Sequence, residues 1–126
     1  MFHHLSIGVS DLARSAVFYD EVLGALGCAR YMEKPGTVSW ASPNGGGVFW
    51  INARDSIAAV PDDGRHVAFR AESRDEVDAF YSAAMDAGAT DDGAPGLRSE
   101  YRDTYYGAFV LDPDGHKIEA VHLPPR

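Results

Sequence analysis

The sequence predicts an α+β fold in which two tandem βαβββ modules form a curled, mixed β-sheet cleft with the helices outside. Three observations predict it. The chain repeats itself at an offset of 62 (66 − 4), which brings His4 onto His66, Phe18-Tyr19 onto Phe80-Tyr81 and Ala25 onto Ala87. Each copy opens on an alternating run followed by a helical period. The last two strands of each half are joined by matching turns, Pro43-Asn44-Gly45 and Pro113-Asp114-Gly115, which carry the Pro and Gly chemistry of tight turns.

In the first strand Leu5, Ile7 and Val9 alternate with His4, Ser6 and Gly8, so one face packs and the other meets something polar. Val67, Phe69 and Ala71 alternate in the same way with His66, Ala68 and Arg70. The first helix is expected to start from a Ser10 cap, to pack through Leu12, Ala16, Tyr19 and Leu23, and to stop at Gly24. Ser73-Arg74-Asp75-Glu76 is a capping-box pattern for the second helix, whose stripe of Val77, Phe80, Ala84 and Ala87 ends at Gly88. Both Phe-Tyr pairs read as core packing. Further strands are expected at 28–33, 37–41 and 48–52 in the first half. In the second half a broken region at 89–101 precedes strands at 105–111 and 117–122. The 126 residues therefore read as one domain, with module 1 at about 1–53, a linker at about 54–64 and module 2 at about 65–126.

Composition narrows the function. A net charge of −8 with no basic stripe argues against nucleic acid and against an anionic membrane surface. The lone Cys28 has no intrachain partner, and no secretory pattern or long apolar run stands out, so a cytoplasmic protein is expected.

Chemistry concentrates at three positions. His4 and His66 occupy equivalent places in the repeat, and Glu119, four residues after Gly115, lies between Ile118 and Ala120, which point the other way. Two imidazoles and a carboxylate on neighbouring strands form an open ligand set for a divalent first-row ion, here Fe2+, Mn2+, Zn2+ or Ni2+. Counting four from Gly45 in the first half reaches Phe49, or Trp50 with a slip of one, so the repeat is chemically unequal. Arg70 and Ser6 share the faces of His66 and His4 and are candidates for touching substrate. Arg70 suits a carboxylate, its alternative use being a salt bridge to one of the 19 acidic residues. Tyr101 and Tyr106 are candidate acid catalysts in the run Arg98 to Tyr106, although Tyr105 and Tyr106 must face opposite ways. The segment Asp91 to Gly96 reads as a surface loop or a lid. His3, His116 and His122 read as surface or packing residues.

The opening His-Leu-Ser-Ile-Gly-Val-Ser-Asp-Leu, the following Phe18-Tyr19 and the closing Asp112-Pro113-Asp114-Gly115-His116-Lys117-Ile118-Glu119 resemble the vicinal oxygen chelate superfamily, which spans glyoxalase I, extradiol dioxygenases, fosfomycin-resistance thiol transferases and bleomycin-binding proteins. That resemblance implies a cleft in which a metal chelates two neighbouring oxygens of a small substrate, for lyase, isomerase or dioxygenase chemistry. His4, His66 and Glu119 match the family's ligand positions. Phe49 stands where glyoxalase I-like sites take a fourth ligand and is assigned to the substrate cleft. The competing reading is a metal-free, bleomycin-resistance-like protein whose acidic surface captures cationic drugs. A symmetric homodimer is expected, in which His4 joins His66 and Glu119 either of its own chain or of a partner.

Overall fold

The computed structural model describes residues 1–125; Arg126, the chain's last cation, lies outside them. The first half runs β1 (His4–Val9), α1 (Leu12–Gly24), β2 (Ala29–Lys34), β3 (Thr37–Ala41) and β4 (Val48–Ala53). The second runs β5 (Val67–Arg70), α2 (Arg74–Asp86), β6 (Thr90–Asp91), β7 (Gly96–Leu97), β8 (Tyr106–Leu111) and β9 (Lys117–His122). The strands form two mixed sheets. One is ordered β1-β4-β3-β2; the other is ordered β5-β9-β8-β6, with β7 also paired to β8. In each sheet the opening strand lies parallel to the last strand of its half, and the remaining pairs are antiparallel.

The helices cover one side of the sheets because the apolar halves of the strand alternation point that way. Val9, Tyr19, Leu23, Ile51, Phe80, Val110, Ile118 and Ala120 are all buried there, each large side chain contributing roughly 1.5–3 kcal/mol on removal from water. Alternation fails at the tip of β1, where Leu5 is 44% exposed while Val9 is fully covered. β1 is an edge strand, paired on one side only with β4, and its buried side increases steadily toward α1.

Three local expectations are corrected. Asp11, not Ser10, caps α1 by accepting from the Arg14 backbone N–H at 3.1 Å, while Ser10 turns its N–H and hydroxyl to Asp114 in the second half. The left-handed glycine after α1 is Gly27 (φ 80°), with Ala25 at the C-cap, rather than Gly24. Phe49 belongs to the core, 4.9 Å from the Tyr19 ring, because in the β1·β4 register it sits beside Leu5 on the helix side. The second helix matches its pattern: Ser73 accepts from Glu76 N–H at 3.1 Å, and Gly88 (φ 92°) follows the end of the helix.

The two halves are joined through the turn that closes the second. His116 Nε2 donates to the Gly8 carbonyl at 2.8 Å, and the Ser10 N–H donates to Asp114 at 3.0 Å. Buried Tyr19 donates from its hydroxyl to Asp112 Oδ2 at 2.6 Å. Burial, with the Asp112 charge and hydrogen bond behind it, pushes the Tyr19 phenol well above its usual range, and burial also raises Asp112. Phe49 meets Phe69 edge-on at 5.2 Å, and α1 packs on α2.

Candidate active site

The side of the second sheet turned away from the helices carries a buried carboxylate. Glu119 lies in the middle of β9, beside Ala68 of β5 and Phe109 of β8, and is 1% exposed. Its neighbours Ile118 and Ala120 point into the core, so strand alternation forces its carboxylate out of the hydrophobic layer. A buried carboxylate must be hydrogen-bonded or paired, and both of its oxygens are.

Oε1 faces His66 Nε2 at 3.1 Å. His66 immediately precedes β5, and its Nδ1 donates to the Gly64 carbonyl at 3.2 Å, which fixes the ring and leaves Nε2 toward Glu119. Oε2 accepts a hydrogen bond from the Tyr105 hydroxyl. Burial first, and then the hydrogen bond to Glu119, push the Tyr105 phenol far above its ordinary range, so it serves as a proton donor in a hydrogen bond and not as a phenolate. Tyr101, 62% exposed, stacks edge-on against Tyr105 at 5.1 Å. Gly107 leaves the necessary space: a Cβ there would lie 3.0 Å from Glu119 Oε2 and 3.2 Å from the Tyr105 ring.

Phe109, directly beside Glu119 in the ladder, is surrounded by polar groups. The His66 ring lies 5.9 Å from its centroid, the Arg98 guanidinium 5.6 Å and the Lys117 ammonium 4.9 Å. A cleft of about 710 Å³ opens next to His66, between the two halves, with Ser6, Gly8, Pro61, His116 and Lys117 in its wall.

The other predicted residues are spread more widely. His4 is exposed at the start of β1, on the other sheet, with Nδ1 2.8 Å from Nδ1 of His3. Among the described residues no three His, Cys, Asp or Glu side chains are grouped to hold a metal ion. Ser6 accepts from the Asn52 amide and reaches the cleft. Arg70 is exposed on β5, in register with Val121, on the same side of the sheet as Glu119. Tyr106 turns to the helix side, where its hydroxyl donates to Asp78 at 2.7 Å and Arg74 lies over its ring at 5.0 Å. The residue that sequence reasoning passed over is Tyr105; its alternation with Tyr106 and its even spacing from Phe109, the ladder partner of Glu119, were the available signals.

The register also settles the asymmetry of the repeat. Ser6 and Ala68 are equivalent under the 62-residue offset (68 − 6), and their ladder partners are Trp50 and Glu119. Trp50, not Phe49, is therefore the first half's counterpart of the buried carboxylate.

With this geometry in place, the comparison with known proteins is direct. The family model described as Glyoxalase/Bleomycin resistance protein/Dioxygenase superfamily matches residues 1–120. The chain belongs to that superfamily. A glyoxalase/bleomycin resistance protein from Albidiferax ferrireducens T118 has a similar structure, with a TM-score of 0.86 and 35% identity over 98% of this chain and 99% of that one. A putative glyoxalase from Bacillus halodurans is similar at a TM-score of 0.74 and 25% identity, covering 98% and 96% of the two chains. The uncharacterized protein YqjT of Bacillus subtilis (strain 168) is 30% identical, covering 94% of this chain and 96% of its own. The two open mixed sheets with external helices are thus the fold of the glyoxalase/bleomycin resistance/dioxygenase superfamily, and no helix among the described residues is long and apolar enough to cross a membrane.

Proposed function

We propose that the protein is a metal-dependent, cytoplasmic small-molecule enzyme of the glyoxalase/dioxygenase type, working as a homodimer. The observation that carries this reading is Glu119: a glutamate 1% exposed, turned out of the core onto the cleft side, with His66 Nε2 3.1 Å from one oxygen and Tyr105 on the other. Members of the superfamily commonly bind divalent metals. The donor set fits such an ion in part, since an imidazole and a carboxylate this close supply two of its ligands. The third would be His4, presented by a second copy. β1 is an edge strand, and Phe2 and Leu5 beside His4 are exposed apolar residues that a partner can cover.

A divalent ion held by His66, Glu119 and the partner copy's equivalent of His4 would supply Lewis-acid stabilisation of charge on neighbouring substrate oxygens. The chain's own residues do the positioning. Gly64 orients His66, Tyr105 holds the Glu119 carboxylate, and the cleft beside Ser6 receives the substrate. Trp50 stands where the first half would otherwise offer a carboxylate, so proton movement by a first-half glutamate is not part of this site.

The test is metal titration of purified protein with Mn(II), Fe(II), Ni(II) and Zn(II), read by calorimetry and thermal stability. One ion per chain, lost in His66→Ala and in His4→Ala, supports the reading. Wild-type protein that takes up no stoichiometric metal and gains no stability overturns it, and light scattering at about 13.6 kDa overturns the dimer.

One observation favours a second reading. The net charge is −8; a metal-free protein that captures cationic drugs, as bleomycin resistance proteins do, needs only the acidic surface and a cleft. Binding of a bleomycin that is unchanged by His66→Ala and weakened by salt would select it.

A further inference from the structure

We infer that His3 and His4 form a chelating pair for Cu(II), a site that stands apart from the buried carboxylate at Glu119 and draws both of its protein donors from one chain. The inference does not rest on the metal-dependent reading; His4 is the one residue that the two share.

The five histidines of the chain divide into two groups. His66, His116 and His122 each direct a ring nitrogen at a backbone carbonyl, those of Gly64, Gly8 and Ala71 respectively. His3 and His4 are exposed and have only each other: Nδ1 meets Nδ1 at 2.8 Å, with the ring planes at 85°. Strand alternation would turn adjacent side chains to opposite faces, but His3 lies just ahead of β1 and escapes it. The backbone beneath the pair is held in place. The Val48 N–H donates to the His3 carbonyl at 3.3 Å, and His4 is in register with Val48.

The spacing of the two nitrogens selects the ion. With metal–imidazole bonds of about 2.0 Å, two nitrogens at a right angle lie about 2.8 Å apart, whereas two tetrahedral ligands lie about 3.3 Å apart. The observed separation is that of adjacent corners of a square, the geometry Cu(II) takes with nitrogen and oxygen ligands. Cu(II) also binds most tightly among the divalent first-row ions, so it is the ion that two imidazoles completed by water hold best. In the metal-free pair one Nδ1 donates its proton to the other. On binding, that proton passes through solvent to Nε2 of the same ring, both Nδ1 lone pairs face the ion, and no net proton is released.

The test uses untagged protein carrying His66→Ala, which disables the Glu119 centre, titrated with Cu(II) by calorimetry and followed by electron paramagnetic resonance. One Cu(II) per chain is expected, with a tetragonal spectrum that shows two nitrogen ligands. Adding His3→Ala or His4→Ala should each weaken binding by about tenfold or more; circular dichroism confirms that the variants are folded. Trp50 lies on the same face of the β1·β4 ladder, two residues beyond the His4 partner Val48, so its fluorescence should be quenched as Cu(II) binds and spared once His3 is replaced. No stoichiometric Cu(II), binding unchanged by either substitution, or a spectrum without two nitrogens would each overturn the pair. Cu(II) held by His3 and His4 in a protein whose wild type takes up no Mn(II), Fe(II), Ni(II) or Zn(II) leaves the pair standing and removes the metal-dependent reading; the converse result removes the pair alone.

Discussion

The Tyr105 hydroxyl donates to Oε2 of Glu119, a carboxylate that water does not reach. Removing that donor leaves a buried acceptor oxygen short of a partner, which costs about 1–3 kcal/mol. Tyr105→Phe is therefore expected to lower Tm, by roughly 3–5 °C per kcal/mol for a domain of this size. Tyr101→Phe, which keeps the edge-on contact and loses an exposed hydroxyl, is expected to change stability by less than about 0.5 kcal/mol. Thermal unfolding of the two variants in parallel checks the pair, and equal Tm values would rule out the hydrogen bond as a structural support of Glu119.

Gly107→Ala is a second probe of the same carboxylate, and its sign is informative. Gly107 lacks the positive φ that would make alanine strained, so on backbone grounds the substitution would stabilise by about 0.4–1 kcal/mol. The new methyl, however, would sit 3.0 Å from Glu119 Oε2 and 3.2 Å from the Tyr105 ring. Overpacking of this kind costs about 1–3 kcal/mol. Net destabilisation is expected, and it should shrink when combined with Tyr105→Ala, which clears one of the two contacts; a double-mutant cycle with no coupling would show that Gly107 and Tyr105 do not share this space.

Much of this arrangement was legible in the sequence because it follows from periodicity. Alternation around Ile118 and Ala120 is enough to turn Glu119 out of the core, and the repeat is enough to align His66 with His4. Loop geometry was not legible in the same way. Whether Asp11 or Ser10 caps α1 depends on Asp114, about 100 residues away, which takes Ser10 for itself. Phe49 and Trp50 were separable only by register, since a count from a turn glycine is uncertain by one residue and one residue reverses the face. Alternation with Tyr106 and even spacing from Phe109 put Tyr105 on the face of Glu119, but that its hydroxyl meets this carboxylate depends on the β8·β9 register and on the open space at Gly107, which no local pattern encodes.

The contact between Tyr19 and Asp112 joins the first helix to the closing turn and should be visible at alkaline pH. The Tyr19 phenol is raised by burial and by Asp112 above its ordinary value of 10.0. Its contribution to stability is thus fully present below about pH 10 and is lost as pH rises toward the raised folded value. In Tyr19→Phe that part of the alkaline loss should disappear, while stability at neutral pH falls by about 1.5–3 kcal/mol because a hydrogen bond to a charged group is gone. Tm measured across pH 8 to about 11 checks both; an alkaline limb identical in the variant would show that other tyrosines account for it.

At the acid end the group to follow is Asp20. It accepts from Arg30 Nε at 2.9 Å and Nη2 at 2.8 Å, and from Trp40 Nε1 at 2.9 Å. The Arg30 hydrogen bonds lead and Trp40 adds to them, together outweighing partial burial, so its carboxyl is held below the usual 3.8. A lowered folded value means that the stabilisation is present above about pH 4 and is lost as pH falls through the folded value. The Asp20 side chain is 38% exposed, so solvent screening limits the effect to about 0.2–1 kcal/mol. In Arg30→Gln the Asp20 carboxyl should titrate closer to 3.8 in a carbon-13 NMR experiment, and the stability gap between wild type and variant should close as pH falls through the lowered folded value. Trp40 fluorescence offers an independent reading, because its indole N–H shares the same carboxylate; an Asp20 titration unmoved by Arg30→Gln would reassign the lowered value to the Trp40 bond.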